Sequence, residues 1–291
     1  MENVFDSTIQ PISLTSSLPK LMKTDKKGKI LVHSTDTKQN VVNYTLGFLA
    51  ILTVYGVATF DYKKIEISKA IVDTVKNFAT MFTEPMAVHF TYAEAFDQLL
   101  MTLSLAFLTT VIGSIIALFF GLLAAKNLTN KKTSDFIKGG VAVIRAVPTV
   151  LWVLIFAASA GLGSVAAIIG LSFHGIGYLI KSYSESFEEL DEGIIEALKA
   201  SGANWWQIVF QAVLPSSITY ILAWTFMRFE INFTNAVAMG AAAGAGGIGY
   251  ELFMAGNYYY NIREIGLITY MVLGFAIVME ICSNRLKAYV K

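Results

Sequence analysis

Residues Leu99–Ala125 run for 27 positions without one charged side chain. About 20 apolar residues in a helix span the hydrocarbon core of a bilayer. Inside lipid a helix satisfies its own backbone hydrogen bonds, which an open strand or loop cannot do. Val41–Phe60 repeats the pattern, again without a charge. Val141–Ile180 is too long for a single span and breaks at Gly161-Leu162-Gly163, where paired glycines favour a turn. That break gives two shorter spans, Val141–Ala160 and Ser164–Ile180. Ser216–Gly240 reads as a fifth despite Arg228 and Glu230, and Ile265–Cys282 as a sixth with Glu280 near its end. Composition agrees: 55% of the residues are hydrophobic and 15% charged, against roughly 25% charged in soluble domains. The expected fold is an all-α integral membrane protein with about six transmembrane helices.

The expected organisation has four parts. Residues 1–40 form a polar tail with six lysines, and 41–60 the first transmembrane helix. Residues 61–98 form an extracytoplasmic segment, and 99–285 the core transmembrane domain. No apolar stretch with a small-residue cleavage site precedes Val41, so the first span reads as retained rather than as a removed signal. With the amino terminus inside, the cytoplasmic segments hold fifteen lysines and arginines, the outer segments five, and the spans Arg145 and Arg228. That excess places both termini in the cytoplasm. A net charge of +1 gives no basic surface for nucleic acid. The lone Cys282 and the scattered His33, His89 and His174 form no metal-ligand spacing.

The loop Lys181–Pro215 carries most of the functional information. Phe187, Leu190, Ile194 and Leu198 recur at helical spacing, with Glu188, Glu189, Asp191, Glu192 and Glu196 between them. This predicts a short acidic amphipathic helix. Gly202 permits a turn with positive φ. Asn204-Trp205-Trp206 follows, then Leu214-Pro215, with the proline suited to the first turn of the next span. A lipid surface anchored by the tryptophans and a protein partner both fit, although interfacial helices usually carry basic faces.

Glu196-Ala197-Leu198, Gly202 six residues after the glutamate, and Leu214-Pro215 resemble the EAA loop of ABC importer permeases. Leu198 stands where that pattern has its second alanine and Ala212 where it has isoleucine; both remain apolar. Other segments are similar to the phosphonate-transport permeases of that class: Ile144-Arg145-Ala146-Val147-Pro148, Leu151–Phe156, Arg228–Asn232 and Gly244–Gly249. The resemblance covers roughly residues 95–285. It implies a type I importer permease in the cell membrane whose Glu196–Pro215 loop docks on a cytoplasmic ATPase. It also implies two ATPase copies carrying ATP and Mg, an extracytoplasmic substrate-binding protein, and a second permease subunit, identical or paralogous. The implied cargo is a phosphonate or related phosphorus oxyanion. Phosphate, phosphite, an organophosphate or methionine remain alternatives, as does a channel or scaffold without ATP coupling.

Gly244-x-Gly246-x-x-Gly249, with Glu264 twenty residues after Gly244, satisfies a dinucleotide-binding pattern, but no room exists for the strands such a site needs. The segment, with Gly247, reads instead as a close packing element or as a moving outer gate near the binding protein. Arg145, Arg228 and Glu230 are costly within spans and face a bundle interior or the path. Arg228 and Glu230 are two apart and cannot pair directly, so Arg145 is the candidate partner of Glu230. An arginine in the path suits an anionic cargo; an ion pair between helices is the structural alternative. Pro148 is expected to kink or open its helix, His174 to pack through a hydrogen bond, and Tyr258–Tyr260 to join an interfacial belt. No G-x-x-x-x-G-K-[ST] loop or catalytic constellation occurs, so no enzymatic activity, cofactor or metal is expected on this chain, which contacts membrane lipid directly.

Overall fold

A computed structural model describes residues 37–60 and 66–289, and among them every regular element is a helix. The chain divides into two units, residues 1–67 and 68–291. The helix of the first unit is α1 (Thr37–Thr59), whose 23 residues reach about 34 Å. Its Thr45 and Thr53 hydroxyls donate to the Val41 and Leu49 carbonyls at 2.8 Å, so these polar groups are satisfied within the helix. The tail expected over 1–40 lies outside the described residues except for its last four.

Helix α2 (Ile67–Thr83) leads into the second unit. Helix α3 (Tyr92–Ala124) begins seven residues before the apolar run at Leu99, because Thr91 and Glu94 form a capping box. The Thr91 N–H donates to the Glu94 carboxylate at 2.7 Å, and the Glu94 N–H to Thr91 Oγ1 at 3.2 Å. Helices α4 (Lys131–Ala146) and α5 (Thr149–Ala160) follow, then α6 (Ser164–Glu188) and α7 (Glu192–Ala200). A short α8 (Trp205–Ile208) passes through a π turn (Val209–Val213) into α9 (Leu214–Ala243). Helices α10 (Ile248–Asn257) and α11 (Ile262–Tyr289) complete the unit.

Five described segments are long and apolar enough to cross a bilayer: Lys38–Thr59, Tyr92–Ala124, Ser164–Glu188, Trp205–Ala243 and Ile262–Arg285. The expected span Val141–Ala160 is not one straight helix. Helix α4 begins ten residues earlier, at Lys131, and meets α5 at an angle of 87°. The break falls at Val147-Pro148, where proline removes a backbone donor and forces its predecessor out of the helical region. The expected turn at Gly161–Gly163 is present, with φ of +89° and +139° at its two glycines.

Close packing in lipid depends on van der Waals fit and small residues, since lipid tails are as apolar as a leucine side chain. Helix α6 supplies that surface through Ala166, Ala167, Gly170, Gly175 and Gly177. A Cβ on Gly170 would lie 2.6 Å from Val153 Cα, and one on Gly177 3.0 Å from Ile144. Two buried clusters result. One joins Leu99, Leu171, Phe233, Met239 and Ile248; the other joins Leu122, Leu179, Tyr183, Phe187, Ile195 and Val213. Helix α3 contributes to both, so it is the common spine of the second unit.

Candidate functional site

The loop after α6 departs from the expected single amphipathic helix. Phe187 belongs to α6, Leu190 lies in the turn between α6 and α7, and the buried residue of α7 is Ile195 rather than the exposed Ile194. Asp191 caps α7 by accepting the Gly193 N–H at 2.9 Å. At the far end the Gly202 N–H donates to the Lys199 carbonyl and the Ala203 N–H to the Leu198 carbonyl, both at 3.0 Å. That pair of bonds is a Schellman closure, which needs a left-handed residue after the helix. Gly202 supplies it with φ +85°. A Cβ there would meet no atom within 4 Å, so backbone conformation rather than crowding selects the glycine.

Asn204 then starts α8 with a second capping box, exchanging bonds of 2.9 and 2.7 Å with Gln207. The Trp205 Nε1–H donates to the Leu128 carbonyl at 3.0 Å, fastening the loop to the α3–α4 connection. Nearby, the Lys126 N–H donates to Glu188 at 2.7 Å and the Asn127 amide to the Phe187 carbonyl at 2.8 Å. The loop is thus held against the bundle while Glu196, Ala197 and Trp206 remain exposed. Leu198 and Leu214 are half-buried and Ala212 is buried, so the two departures from the family pattern both fall on the inward side. Pro215 lies in the first turn of α9, as its motif suggested, although no free chain end precedes it. It lies inside a helical run from Trp205 to Ala243, and the π turn just before it widens the backbone around the ring.

Within the bundle, Arg228 is 1% exposed. Its Nη2 lies 3.3 Å from His174 Nδ1, and its guanidinium carbon 5.4 Å from the centre of the Tyr178 ring. Arg228 Nε has no hydrogen-bond partner, and no carboxylate among the described residues pairs with the guanidinium. The expected pair of Arg145 and Glu230 is not formed. Arg145 is exposed in the last turn of α4, where it suits the helix dipole. Glu230 instead shares a cavity of about 280 Å³ with Glu280, Phe233 and Met279. One turn beyond Arg228, the Asn232 amide donates to Thr110 Oγ1 at 2.9 Å, while its Oδ1 and the Ser172 hydroxyl are buried without partners. Asn232 closes the Arg228–Asn232 segment that carries the family resemblance, whereas Ser172 belongs to no motif and its signal is only polarity inside an apolar run.

Gly244, Gly246 and Gly247 take φ of +59°, +76° and +73° and turn the chain back along α9. A Cβ on Gly240 would lie 2.6 Å from the Gly246 carbonyl, and one on Gly249 would be driven into the Val237 carbonyl oxygen. The Ile248 N–H donates to Thr102 Oγ1 at 2.9 Å, and the Ser164 hydroxyl to the Ala245 carbonyl at 2.8 Å. The glycines therefore allow backbone to touch backbone.

A cluster without local sequence signature joins the α2–α3 connection to α11. Glu264 is fully buried and accepts the Val88 and His89 N–H groups at 2.8 and 2.5 Å, with His89 Nδ1 at 2.9 Å. The His89 ring stacks on Tyr259, centroids 3.8 Å apart. Arg263 pairs with Glu84 on the exposed side. Burial raises the pKa of the Glu251 carboxyl above its ordinary value, with the charges of Glu94 and Glu264 adding to the effect. Glu264→Ala is expected to cost about 1–3 kcal/mol, since it removes the one buried carboxylate that accepts from the Val88 and His89 N–H groups and the His89 ring. Arg263→Ala should be close to neutral, as its pair is solvent-exposed. Thermal unfolding of the two purified variants compares them directly.

With the geometry in place, residues 117–291 match the family described as binding-protein-dependent transport system inner membrane component. The chain belongs to that family and is a multi-pass cell-membrane permease of the ABC importer class. The phosphite transport system permease protein PtxC of Stutzerimonas stutzeri is 30% identical over 254 residues, covering 84% of this chain and 90% of its own length. The phosphate-import permease protein PhnE of Mycolicibacterium smegmatis is 32% identical over 161 residues, 55% of this chain but only 30% of that protein. The chain thus spans less than a third of that second relative. Among solved structures, an inward-facing methionine ABC transporter, MetNI, has a similar fold, with TM-score 0.63 and 21% identity over 69% of this chain and 100% of that one.

Proposed function

We propose that this chain is the membrane permease of an ATP-driven, binding-protein-dependent importer of phosphonates or related phosphorus oxyanions. The observation that carries the reading is the similarity to a phosphite permease over nine-tenths of that protein's length. The exposed Glu196–Gly202 turn is the docking point for a separate cytoplasmic ATPase, two copies serving a pair of permease subunits. Leu198 and Leu214 hold it on the bundle, Pro215 opens the next helix, and Ala197 faces outward. Both termini are then cytoplasmic, and the binding protein approaches the opposite end, where Gly244, Gly246, Gly247 and Gly249 form the outer closure. Arg228 is the path residue, held by His174 and Tyr178, with Glu230 two residues on and turned to a separate cavity of the same helix, while Pro148 sets the bend of α4 and α5. ATP and Mg belong to the partner.

The test is cargo-stimulated ATP hydrolysis in lipid vesicles holding the permease, its genomic-neighbour ATPase and the binding protein. Methylphosphonate, phosphite, phosphate and methionine are added separately. Stimulation by a phosphorus oxyanion and not by methionine is expected. Stimulation by methionine alone keeps the importer and discards the cargo. Gly202→Asp is expected to abolish stimulation and release the ATPase on co-purification, because it disturbs the left-handed closure and adds charge at the docking turn. Normal hydrolysis with that variant rules out the coupling role.

A further inference from the structure

A basic cavity of about 350 Å³ lies where α3 ends, between α4 and α6. Helix α4 turns Lys138, Val141, Ala142 and Arg145 toward it, at steps of three, one and three residues along one face. Helix α6 supplies Lys181, Ser184, Glu185 and Glu188, and Lys126 closes the ring. Two of the four cations are matched: Lys138 Nζ lies 2.6 Å from Glu188 and Lys181 Nζ 3.2 Å from Glu185. The Lys126 ammonium and the Arg145 guanidinium have no carboxylate partner among the described residues. The cavity therefore carries two positive charges in excess.

Directly beside it runs a mostly apolar groove of about 580 Å³, lined by Ile116, Phe120, Ile137, Ile144 and Phe173 among others, with Asp135 its one charged residue. Val141 and Ile180 belong to both, so groove and basic cavity are continuous. On α6 the groove runs from Phe173 to Ile180, about 10 Å along the helix axis. Lys181 follows directly where it ends, and Arg145 reaches in from α4 level with Gly177. A Cβ at Gly139 or Gly140 would meet no atom within 4 Å, so the α4 wall is open.

We propose that this is a binding site for an anionic glycerophospholipid. Lys126 and Arg145 hold the headgroup phosphate, and one acyl chain lies along the groove toward Phe173. Arg145 offers a fork of donors to phosphate oxygens and Lys126 a compact charge. A basic pocket joined to an apolar channel at a helix end matches a headgroup and tail on one molecule. A soluble oxyanion would leave the groove unfilled. A partner helix would fill it but bring no charge to the two unmatched cations. The inference does not depend on which cargo the permease carries.

The experiment is native mass spectrometry of the full chain in neutral detergent, titrated with dioleoyl phosphatidylglycerol or dioleoyl phosphatidylcholine. The chain is expected to retain phosphatidylglycerol with at least a roughly tenfold preference, the scale of one charge-assisted contact of about 1.5–3 kcal/mol. Lys126→Gln combined with Arg145→Gln should erase that preference, and Gly140→Phe should weaken retention by filling the groove. Lys131→Gln, outside the cavity, is the matched control for loss of charge. All variants are compared at equal monodispersity, so a folding defect registers separately. Equal retention of the two lipids, or a preference that survives the double substitution, overturns the proposal. Displacement of the lipid by millimolar inorganic phosphate reassigns the cations to a soluble anion. A dimer that excludes lipid while the monomer takes it up reassigns the groove to a second copy.

Discussion

Gly249→Ala is expected to prevent the permease from reaching its folded state, although it adds only a methyl group. The Cβ would be directed into the Val237 carbonyl oxygen, and the next atoms it meets are the Val237 carbonyl carbon and Cα. All of these are backbone, so no side-chain rotation relieves the clash. Helix α10 must separate from α9, which also strains the Gly240–Gly246 contact and the bond from the Ile248 N–H to Thr102. Overpacking a core costs typically 1–3 kcal/mol and sometimes more. Here the affected partner is a helix backbone, which places the loss at or above the top of that range. Gly139→Ala is the matched control: its Cβ meets nothing within 4 Å, and alanine favours an interior helical position by roughly 0.5–1 kcal/mol. Size-exclusion profiles and thermal unfolding in detergent should show a collapsed yield for the first and an unchanged or raised midpoint for the second. An unaffected Gly249→Ala protein would mean that α10 stands off α9 in solution, the behaviour of a mobile gate rather than a packed one.

The features legible in sequence were those carried by neighbouring residues. Uncharged runs, the Gly161–Gly163 turn and the break at Pro148 each reflect local backbone chemistry. The start of α3 was also local, in Thr91-Tyr92-Ala93-Glu94, but the apolar run at Leu99 is the louder signal and obscured it. The single amphipathic helix was misread because Phe187, Leu190, Ile194 and Leu198 happen to share one period. In the structure Phe187 stays in α6, buried with Tyr183 beside Gly121 of α3, where a Cβ would lie 3.1 Å from Tyr183 Cβ. Tertiary packing extended α6 past the end of its apolar run. The pairing of Arg145 with Glu230 failed for a related reason. Charge complementarity names possible partners, but the side on which each helix faces its neighbours decides them. The His89–Glu264 cluster, 175 positions apart in sequence, had no local trace at all.

Arg228→Met is expected to separate transport from stability. A central charge in a spanning helix costs about 2.5–3.5 kcal/mol on insertion scales. Buried charges normally recover such a cost through a partner of opposite sign, yet Arg228 has His174, the face of Tyr178 and an unpartnered Nε. No carboxylate among the described residues is left unpaired when Arg228 is replaced, so an apolar side chain of similar length removes only a costly buried charge. If the charge served only the fold, it would be a poor device for the purpose. A transient anionic cargo supplies the missing partner, and a guanidinium meets phosphorus oxygens with two parallel bonds. The methionine variant should therefore keep or raise its unfolding midpoint while cargo-stimulated ATP hydrolysis falls roughly tenfold to a hundredfold, the loss of a charge-assisted bond of about 1.5–3 kcal/mol. Arg228→Lys should retain part of the stimulation, because it keeps the charge but loses the fork. Gly175 gives the comparison a structural check, since its position lies 3.2 Å from Arg228 Nε as measured from a modest alanine Cβ. Gly175→Ala should press on the guanidinium and reduce stimulation without removing the charge. A methionine variant that loses folded yield in step with activity assigns Arg228 to packing. One that transports normally removes it from the path.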